Sequence, residues 1–146
     1  MISLIQRVTE ASVHVDDELV GAIGPGLLAL VAVEPADGEA QARRMLERLL
    51  GYRVFADAEG RMNRSLADTG GGLLLVPQFT LAADTRKGMR PSFASAATPE
   101  HGRRLFEYLF ELTRIAHPGV EKGRFGAHMK VSLNNDGPVT FRLLAR

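Results

Sequence analysis

Hydrophobic and polar side chains alternate at the start of the chain, a pattern typical of a half-buried β-strand. Residues 2–8 alternate in this way, and extended structure is predicted to continue to a turn at residues 16–18. A short strand at residues 19–23 ends at Gly24-Pro25-Gly26, which is a strong turn signal. Residues 27–33 are apolar without interruption, as expected for a strand that is buried on both faces.

Two later segments carry apolar side chains at the spacing of an amphipathic helix. The first helix is predicted to begin with Asp37 as its N-cap and to end at Gly51 in the left-handed conformation. Its apolar stripe consists of Ala42, Met45, Leu46, Leu49 and Leu50. The second helix is predicted to begin after Thr98, with Pro99 at its first position, and to end near residues 117–119. Its apolar stripe consists of Leu105, Phe106, Leu109, Phe110 and Leu112.

Further strands are predicted at residues 53–55, 73–81, 129–133 and 139–144, with a turn at residues 134–138 between the last two. In total, the pattern predicts about seven strands and two helices. Because the strands do not alternate regularly with helices, a Rossmann-type sheet is disfavoured. We therefore predict a mixed α/β fold in which two helices cover a strand-rich sheet or barrel.

Composition favours a single globular domain. The 146 residues are 45% hydrophobic and 24% charged, which is ordinary usage, and we expect one domain over residues 1–146. The chain has no cysteine, so disulfides, thiol nucleophiles and cysteine-ligated metals are excluded. The start of the chain has no basic stretch followed by an apolar run, and the longest apolar run is too short to span a bilayer. We therefore expect a cytoplasmic protein that does not bind membranes.

Charge is balanced overall but is unevenly distributed. The net charge of +1 disfavours a protein that grips long nucleic-acid duplexes electrostatically. Residues 1–73 hold seven basic and eleven acidic side chains, whereas residues 74–146 hold eleven basic and six acidic ones. The second half, at +5 against −4 for the first, either builds a local basic surface or scatters its charges over a solvated one. The sequence leaves both interpretations open.

Several familiar catalytic motifs are absent. The chain has no Gly-x-Ser-x-Gly elbow, no phosphate-binding glycine loop before a helix and no His-Glu-x-x-His. Among four dispersed histidines, His128 is the strongest candidate for a general base, although lone histidines are more often structural or exposed. Gly70-Gly71-Gly72 precedes a predicted strand, so we expect a tight loop there rather than a phosphate cradle.

Residues 76–81 interrupt an apolar strand with polar and turn residues. Pro77 cannot donate a hydrogen bond to a neighbouring strand, so it is unexpected in a central strand. Gln78 is an amide that needs hydrogen-bond partners if it is buried. Thr80 is either a nucleophile or simply a good β-former, and the second interpretation is favoured because no adjacent base is visible to activate its hydroxyl.

Residues 134–140 form the second unusual segment. Their composition favours a hairpin turn. The Gly137–Pro138 bond belongs to the small group of peptide bonds that adopt the cis form at low cost. The sequence therefore permits a cis bond at this position without predicting one.

Together these segments resemble the bacterial-type D-aminoacyl-tRNA deacylases, and the resemblance covers essentially the whole chain. The matching segments are residues 5–8, 11–13, 51–55, 57–60, 62–63, 78–84, 88–93, 123–129 and 135–141. Each segment alone is a weak signal, but their order and spacing make the match specific. The resemblance implies a β/β/α fold and a homodimer whose active site lies at the subunit interface.

The resemblance also implies a reaction. These enzymes hydrolyse the ester between a D-amino acid, or glycine mischarged on tRNA-Ala, and the 3′-terminal adenosine of tRNA, and no cofactor or metal is expected. Gln78, Phe79 and Thr80 are expected to line the pocket, where N–H groups near Phe79 and Thr80 would stabilise the oxyanion. The ribose 2′-hydroxyl is expected to position the attacking water. Thr80 is then a positioning residue, with a covalent acyl-Thr80 as the alternative.

Chiral selection is expected to reside in a second group of residues. By resemblance, Gly137 and Pro138 are joined by a cis bond and enter the partner subunit's pocket. Their carbonyl oxygens would reject an L side chain and bind the α-amino group. Arg7 matches a residue that holds this pair, and Met129 matches a residue near the same pocket. A rigid wall of this kind admits glycine, which has no side chain to exclude.

The chain departs from the family at Pro77, which lies in the expected substrate pocket where the family usually has serine. Any contact made by that serine is missing here, so the shape of the pocket or the rate differs. Two other functions fit parts of the sequence. A tRNA-binding module without catalysis would use the basic second half, and a small-molecule esterase would use Thr80.

Overall fold

The computed structural model describes all 146 residues. The strands are β1 (Ile2–Val15), β2 (Glu18–Ile23), β3 (Gly26–Ala32), β4 (Phe55–Ala56), β5 (Met62–Arg64), β6 (Gly72–Pro77), β7 (Val120–Lys122) and β8 (Lys130–Leu144). The helices are α1 (Glu39–Gly51), α2 (Leu66–Thr69) and α3 (Pro99–Ala116), and a 3-10 turn covers Phe79–Ala82. None of the helices has the length and apolar character needed to cross a bilayer.

The long strand β1 organises a six-stranded mixed sheet. One edge of β1 pairs with β3 along its first half and with β2 along its second half, and the other edge pairs with β8. These pairings are antiparallel, whereas β3 and β6 are parallel, as are β6 and β7. β4 and β5 form a separate two-stranded ribbon. The predicted mixed, strand-rich sheet is confirmed.

The parallel strands at the centre of the sheet are buried on both faces, as the uninterrupted apolar run at residues 27–33 predicts. Leu27 and Leu73 belong to the main core, which the apolar faces of α1 and α3 complete. Leu28 and Leu74 point the other way, into a second cluster formed with the later half of β1. The two large helices therefore cover one face of the sheet, and the bent sheet itself covers much of the other.

Tight connections bring these strands together. The turn predicted at residues 16–18 is a two-residue hairpin turn between β1 and β2, in which Asp16 and Asp17 have positive φ values of 48° and 64°. β3 and β6 approach so closely at their starts that a Cβ on Gly26 would lie 1.9 Å from the carbonyl oxygen of Gly72. The tight loop predicted at residues 70–72 consists of Gly70, with a φ of +68°, and Gly71, whereas Gly72 already begins β6.

The ends of the two large helices differ in how well the sequence predicted them. α3 begins as expected, because the Thr98 hydroxyl accepts a hydrogen bond from the His101 N–H at 3.3 Å and Pro99 follows. The prediction that Asp37 caps α1 is wrong, since its carboxylate accepts from the Met1 amine at 2.6 Å and from the Glu34 N–H at 2.7 Å.

The left-handed end predicted at Gly51 is also wrong. Gly38 is the N-cap of α1, and its N–H donates to the Gln41 side chain at 2.9 Å. Gly51 remains in the helix, and the chain leaves through Tyr52 in an extended conformation. The Tyr52 N–H still donates to the carbonyl oxygen of Arg48 at 2.9 Å, so the helix ends without a left-handed residue.

Three further predictions need correction. The strand predicted at residues 73–81 ends at Pro77, where the chain turns into the 3-10 turn. The hairpin predicted at residues 134–138 does not exist, because β8 runs through this segment and stays paired with β1 on both sides of it. Three helices are present rather than two, because α2 has only four residues and is too short to show helical periodicity.

Candidate active site

A cavity of about 410 Å³ opens where β3 and β6 end. Its lining residues are Val31, Val33, Val76, Pro77, Gln78, Phe79, Ala97, Thr98, Pro99, Gly102, Phe106, Phe125, Gly126, Ala127, His128, Met129 and Val131. Most of these side chains are apolar, and a few polar groups are placed among them. A cavity of this size and character is typical of a small-molecule or substrate site.

Gln78 and Phe79 line this cavity, where β6 stops at Pro77, whereas Thr80, which was expected to line it too, follows them in the 3-10 turn and is not part of the lining. The Gln78 N–H donates to the carbonyl oxygen of Val31 at 2.7 Å, which holds the start of the segment against β3. The chain then coils into the 3-10 turn, whose first N–H groups have no acceptor within the turn. The amides of Phe79, which lines the cavity, and of Thr80 therefore have no partner within the turn and can donate to another group.

The Thr80 hydroxyl has one protein partner. The Gln78 side-chain amide donates to it at 2.5 Å, so the amide orients the hydroxyl but cannot remove its proton. No histidine or carboxylate is hydrogen-bonded to Thr80. The contacts favour a role in positioning over a role as nucleophile.

Pro77 and Met129 form neighbouring parts of the cavity wall. Pro77 ends β6 and presents its ring to the cavity, so this part of the wall is apolar where the resemblance implies a serine hydroxyl. Met129 is half-buried, and its sulfur accepts a hydrogen bond from the Arg124 N–H at 3.4 Å. Both residues lie beside Gln78 and Phe79, as the resemblance implies.

The part of the wall that comes from the start of α3, at Thr98, Gly102 and Phe106, was missed by sequence reasoning. Residues 125–128 complete the lining, and of these only His128 had been singled out as a candidate for chemistry. Phe106 belongs to the apolar stripe of the helix, and a stripe does not distinguish a side chain that packs in the core from one that also borders a cavity. The only local signal is Gly102, which is unusual inside a helix.

Only one of the four histidines borders the cavity. His128 lies exposed on its rim. The Nε2 atoms of His101 and His117 instead contact backbone carbonyl oxygens, of Asp37 at 2.9 Å and of Gly71 at 2.6 Å. These two histidines therefore have structural roles.

Gly137 and Pro138 occupy an excursion in the middle of β8. Gln6 pairs with Thr140 and Val8 pairs with Asn135, so the four residues 136–139 lie opposite the single residue Arg7. The Gly137–Pro138 bond is cis, and Gly137 has a φ of +140°. Both residues are exposed, and the excursion projects from the sheet.

Two side chains hold the base of the excursion. Arg7 donates through Nε to the carbonyl oxygen of Asp136 at 3.0 Å and through Nη1 to that of Val54 at 2.7 Å. The Asn135 side-chain amide donates to the carbonyl oxygens of Arg7 and Val139 at 3.0 and 2.9 Å. The role implied for Arg7 thus has a geometric counterpart, and Asn135 is a second brace that the sequence did not reveal.

Arg7, Gly137 and Pro138 are not brought together with the cavity residues within one chain. Arg7 pairs with Leu27 at the start of β3, whereas the cavity opens at Val31 and beyond. Leu27 and Val31 are four residues apart along β3, which corresponds to a distance of about 13 Å. Arg7, Gly137 and Pro138 accordingly do not line the cavity of their own chain.

Known proteins resemble this chain over its full length. The family model described as D-Tyr-tRNA(Tyr) deacylase matches residues 4–144. A D-aminoacyl-tRNA deacylase of Stenotrophomonas maltophilia (strain K279a) is 73% identical over 144 residues, with 98% of this chain and 99% of the relative covered. A D-aminoacyl-tRNA deacylase of Azotobacter vinelandii (strain DJ / ATCC BAA-1303) is 68% identical over 145 residues, with 99% and 100% covered.

Two solved structures share the fold. The c-Myc DNA unwinding element binding protein superposes with a TM-score of 0.95 at 35% identity, with 100% of this chain and 99% of that chain covered. A probable eukaryotic D-amino acid tRNA deacylase superposes with a TM-score of 0.81 at 19% identity, with 97% and 98% covered. At that identity, the second likeness concerns the fold alone.

The fold, the cavity and these relatives define the class of the protein, a hydrolase that acts on an ester bond. More particularly, the chain belongs to the D-Tyr-tRNA(Tyr) deacylase family. The family resemblance found in the sequence is thereby confirmed.

Proposed function

We propose that this protein removes D-amino acids, and glycine mischarged on tRNA-Ala, from the 3′-terminal adenosine of tRNA in the cytoplasm, and that it does so as a homodimer. Water attacks the ester carbonyl carbon, and the bond to the ribose oxygen then breaks. The products are the free amino acid and a tRNA with its terminal hydroxyl restored. The reaction needs no cofactor.

Stabilisation of the oxyanion is assigned to the start of the 3-10 turn. The ester carbonyl oxygen gains negative charge when water adds, and preorganised N–H donors stabilise that charge. The amides of Phe79 and Thr80 supply such donors beside the cavity. Removing one donor of this kind costs about 2.7–4 kcal/mol of transition-state stabilisation in well-studied hydrolases.

Activation of the water is assigned to the substrate. The cavity wall offers the Gln78 side chain, which donates to the neighbouring Thr80 hydroxyl, and His128 is exposed at the rim. The 2′-hydroxyl of the terminal ribose is adjacent to the ester and orients the water, while Thr80 and Gln78 hold the ester in place. This assignment is favoured over an acyl-Thr80 intermediate because no base contacts the Thr80 hydroxyl.

Chiral selection is assigned to a second copy of the chain. The observation that carries this proposal is the separation of about 13 Å along β3 between the level of Arg7 and the cavity, because a Gly137–Pro138 wall can act on the substrate only from another copy. The excursion is exposed and braced by Arg7 and Asn135. The other edge of β8 has no strand partner in this chain, so the tip is accessible.

The substrate range follows from this wall. Backbone carbonyl oxygens projecting into the partner's cavity occupy the space that an L side chain needs and accept hydrogen bonds from the α-amino group. A D side chain points away from them, and glycine presents only hydrogen. The selection is therefore achieved by excluding the L-enantiomer rather than by a pocket that is specific for one side chain.

The decisive assay compares D-tyrosyl-tRNA, L-tyrosyl-tRNA and glycyl-tRNA as substrates under single-turnover conditions. Release of D-tyrosine and glycine, with L-tyrosyl-tRNA left intact, is expected. Equal rates on both tyrosyl esters would contradict the chiral wall. Salt-sensitive binding of tRNA without any release would favour a binding module, and hydrolysis of simple esters that depends on Thr80 would favour an esterase.

A further inference from the structure

An exposed loop beside the cavity carries side chains that the proposed reaction does not use. Asp84 and Ser92 close the base of this loop with two backbone hydrogen bonds, of 2.8 and 3.0 Å. All the residues between Thr85 and Pro91 are exposed, and Met89 at the tip is completely so. A fully exposed methionine on an ordered loop is unusual, because burial of its side chain would be favourable.

An aromatic contact fixes this loop at the mouth of the cavity. The ring of Phe93, just after the base of the loop, lies 5.0 Å from the ring of Phe79 between centroids. Phe79 lines the cavity, and the two rings are 55% and 43% exposed for Phe79 and Phe93 respectively. This pair of exposed rings therefore connects the lining of the cavity to the loop.

The loop also carries two cations without protein partners. Arg86 is held by the Asp84 carboxylate through two hydrogen bonds of 2.9 and 2.6 Å, so its charge is largely neutralised. Lys87 and Arg90 have no side-chain hydrogen bond or ion pair and lie on either side of Met89. They belong to the half of the chain with a net charge of +5.

We propose that the loop of residues 84–93 binds the single-stranded 3′ end of the tRNA just before its terminal nucleotide. Lys87 and Arg90 contact the backbone phosphates, and Met89 with the exposed face of Phe93 contacts the bases. Exposed aromatic rings beside unpaired cations are how proteins hold single-stranded nucleic acid with little sequence preference. The inference rests on the proposed function, because it takes the cavity to hold the terminal aminoacylated nucleotide.

The test compares two double variants that remove the same charge. Lys87→Gln/Arg90→Gln changes the loop, and Arg61→Gln/Arg104→Gln removes two exposed arginines that have no side-chain partner and lie outside the loop. The quantity measured is kcat/KM for D-tyrosyl-tRNA between low and moderate salt. Each phosphate contact with a single strand contributes about −0.7 to the slope of log affinity against log salt.

The loop variant is expected to lose roughly tenfold in kcat/KM at low salt, and its slope should be shallower by about 1.4. The matched control should retain the wild-type rate and slope. Phe93→Leu should weaken binding without changing the slope, since it removes stacking but no charge. Identical rates and slopes in the two double variants would overturn the proposal.

Direct titration with uncharged tRNA separates this inference from the proposed function, because it requires no turnover. Weaker binding by the loop variant alone supports the loop even if D-tyrosyl-tRNA is not hydrolysed. Chiral hydrolysis by the wild type together with equal tRNA binding by both double variants supports the reaction and refutes the loop. Both double variants alter exposed side chains without hydrogen bonds, so thermal unfolding should confirm that they fold normally.

Discussion

Thr80 shows how a single contact distinguishes between two mechanisms. Its hydroxyl accepts a hydrogen bond from the Gln78 amide, and an amide cannot act as a general base. A nucleophilic threonine would need a base to take its proton. The contact with Gln78 therefore favours a positioning role for Thr80 over a nucleophilic one.

Substitution of Thr80 by valine is the first test at this scale. Valine keeps the shape of the side chain and removes the hydroxyl, so a positioning role predicts a loss of roughly tenfold in kcat, comparable to one hydrogen bond. A nucleophile would instead be lost completely. Single-turnover rates for Thr80→Val and Thr80→Ser, together with mass spectrometry for an acylated chain, measure the difference. An acyl adduct on Thr80 would contradict the positioning role.

Gly137 provides the second test. A Cβ at this position would lie 2.6 Å from Cγ2 and 2.9 Å from the backbone nitrogen of Val139, and the φ of +140° is itself unfavourable for other residues. Gly137→Ala should therefore displace the excursion and lower kcat/KM for D-tyrosyl-tRNA by about tenfold or more.

Gly60→Ala is the matched control for the Gly137 variant. Gly60 also has a positive φ, of +81°, but a Cβ there meets nothing within 4 Å. The Gly60→Ala variant should have a lower melting temperature but an unchanged turnover of D-tyrosyl-tRNA. Thermal unfolding and the kinetic assay measure these two quantities. Wild-type turnover by Gly137→Ala would contradict the role of the excursion.

At the scale of elements, the excursion of β8 is braced by side chains at its base. Asn135 joins the backbone of β1 at Arg7 to the backbone of β8 at Val139. Residues 136–139 are thereby held opposite Arg7, and the tip of the excursion is braced by both strands. On the proposed mechanism, a mobile tip would give way to an L side chain, so selectivity would depend on this base.

Asn135→Ala should therefore reduce selectivity more than it reduces rate. Losing two hydrogen bonds predicts a destabilisation of about 1–3 kcal/mol and a fall of roughly tenfold in the ratio of D to L hydrolysis. Asn134→Ala is the control, since that side chain is exposed and contacts only Glu10. An unchanged ratio in Asn135→Ala would show that the tip keeps its shape without the brace.

How far the sequence predicts each element depends on its length and its signals. The apolar run at residues 27–33 and the Thr98-Pro99 start of α3 carry strong local signals, and both are confirmed. β7 and α2 are too short to show a period. The segment at residues 134–138 has the composition of a hairpin turn, and only long-range pairing with β1 keeps β8 continuous through it.

Some residues of the candidate site could be predicted from the sequence, and others could not. Pro77 and Gln78 are conspicuous in an apolar strand, and the structure places them at the cavity. The wall from α3 was not predictable, because Phe106 follows the periodicity of a core residue. Asn135 was hidden for another reason, since its role depends on a register shift that no local pattern encodes.

At the scale of the whole molecule, the cavity and the excursion lie at different levels of the same sheet. The cavity lies where the parallel strands β3 and β6 end, and the excursion faces Arg7 at the other end of β3. In a two-fold dimer, each contact made by one copy is repeated by the other. Two copies can therefore supply each other with the part of the site that each lacks.

A complementation assay tests this sharing of the site between copies. Gln78→Ala impairs the cavity, Gly137→Ala impairs the excursion, and each variant alone should have little activity. In a mixed dimer, one site combines both changes and the other combines neither. An equal mixture that exchanges freely should therefore recover about one quarter of wild-type activity on D-tyrosyl-tRNA, because half of the dimers are mixed and each has one intact site. Activity no greater than the mean of the two separate variants would contradict a site shared between two copies.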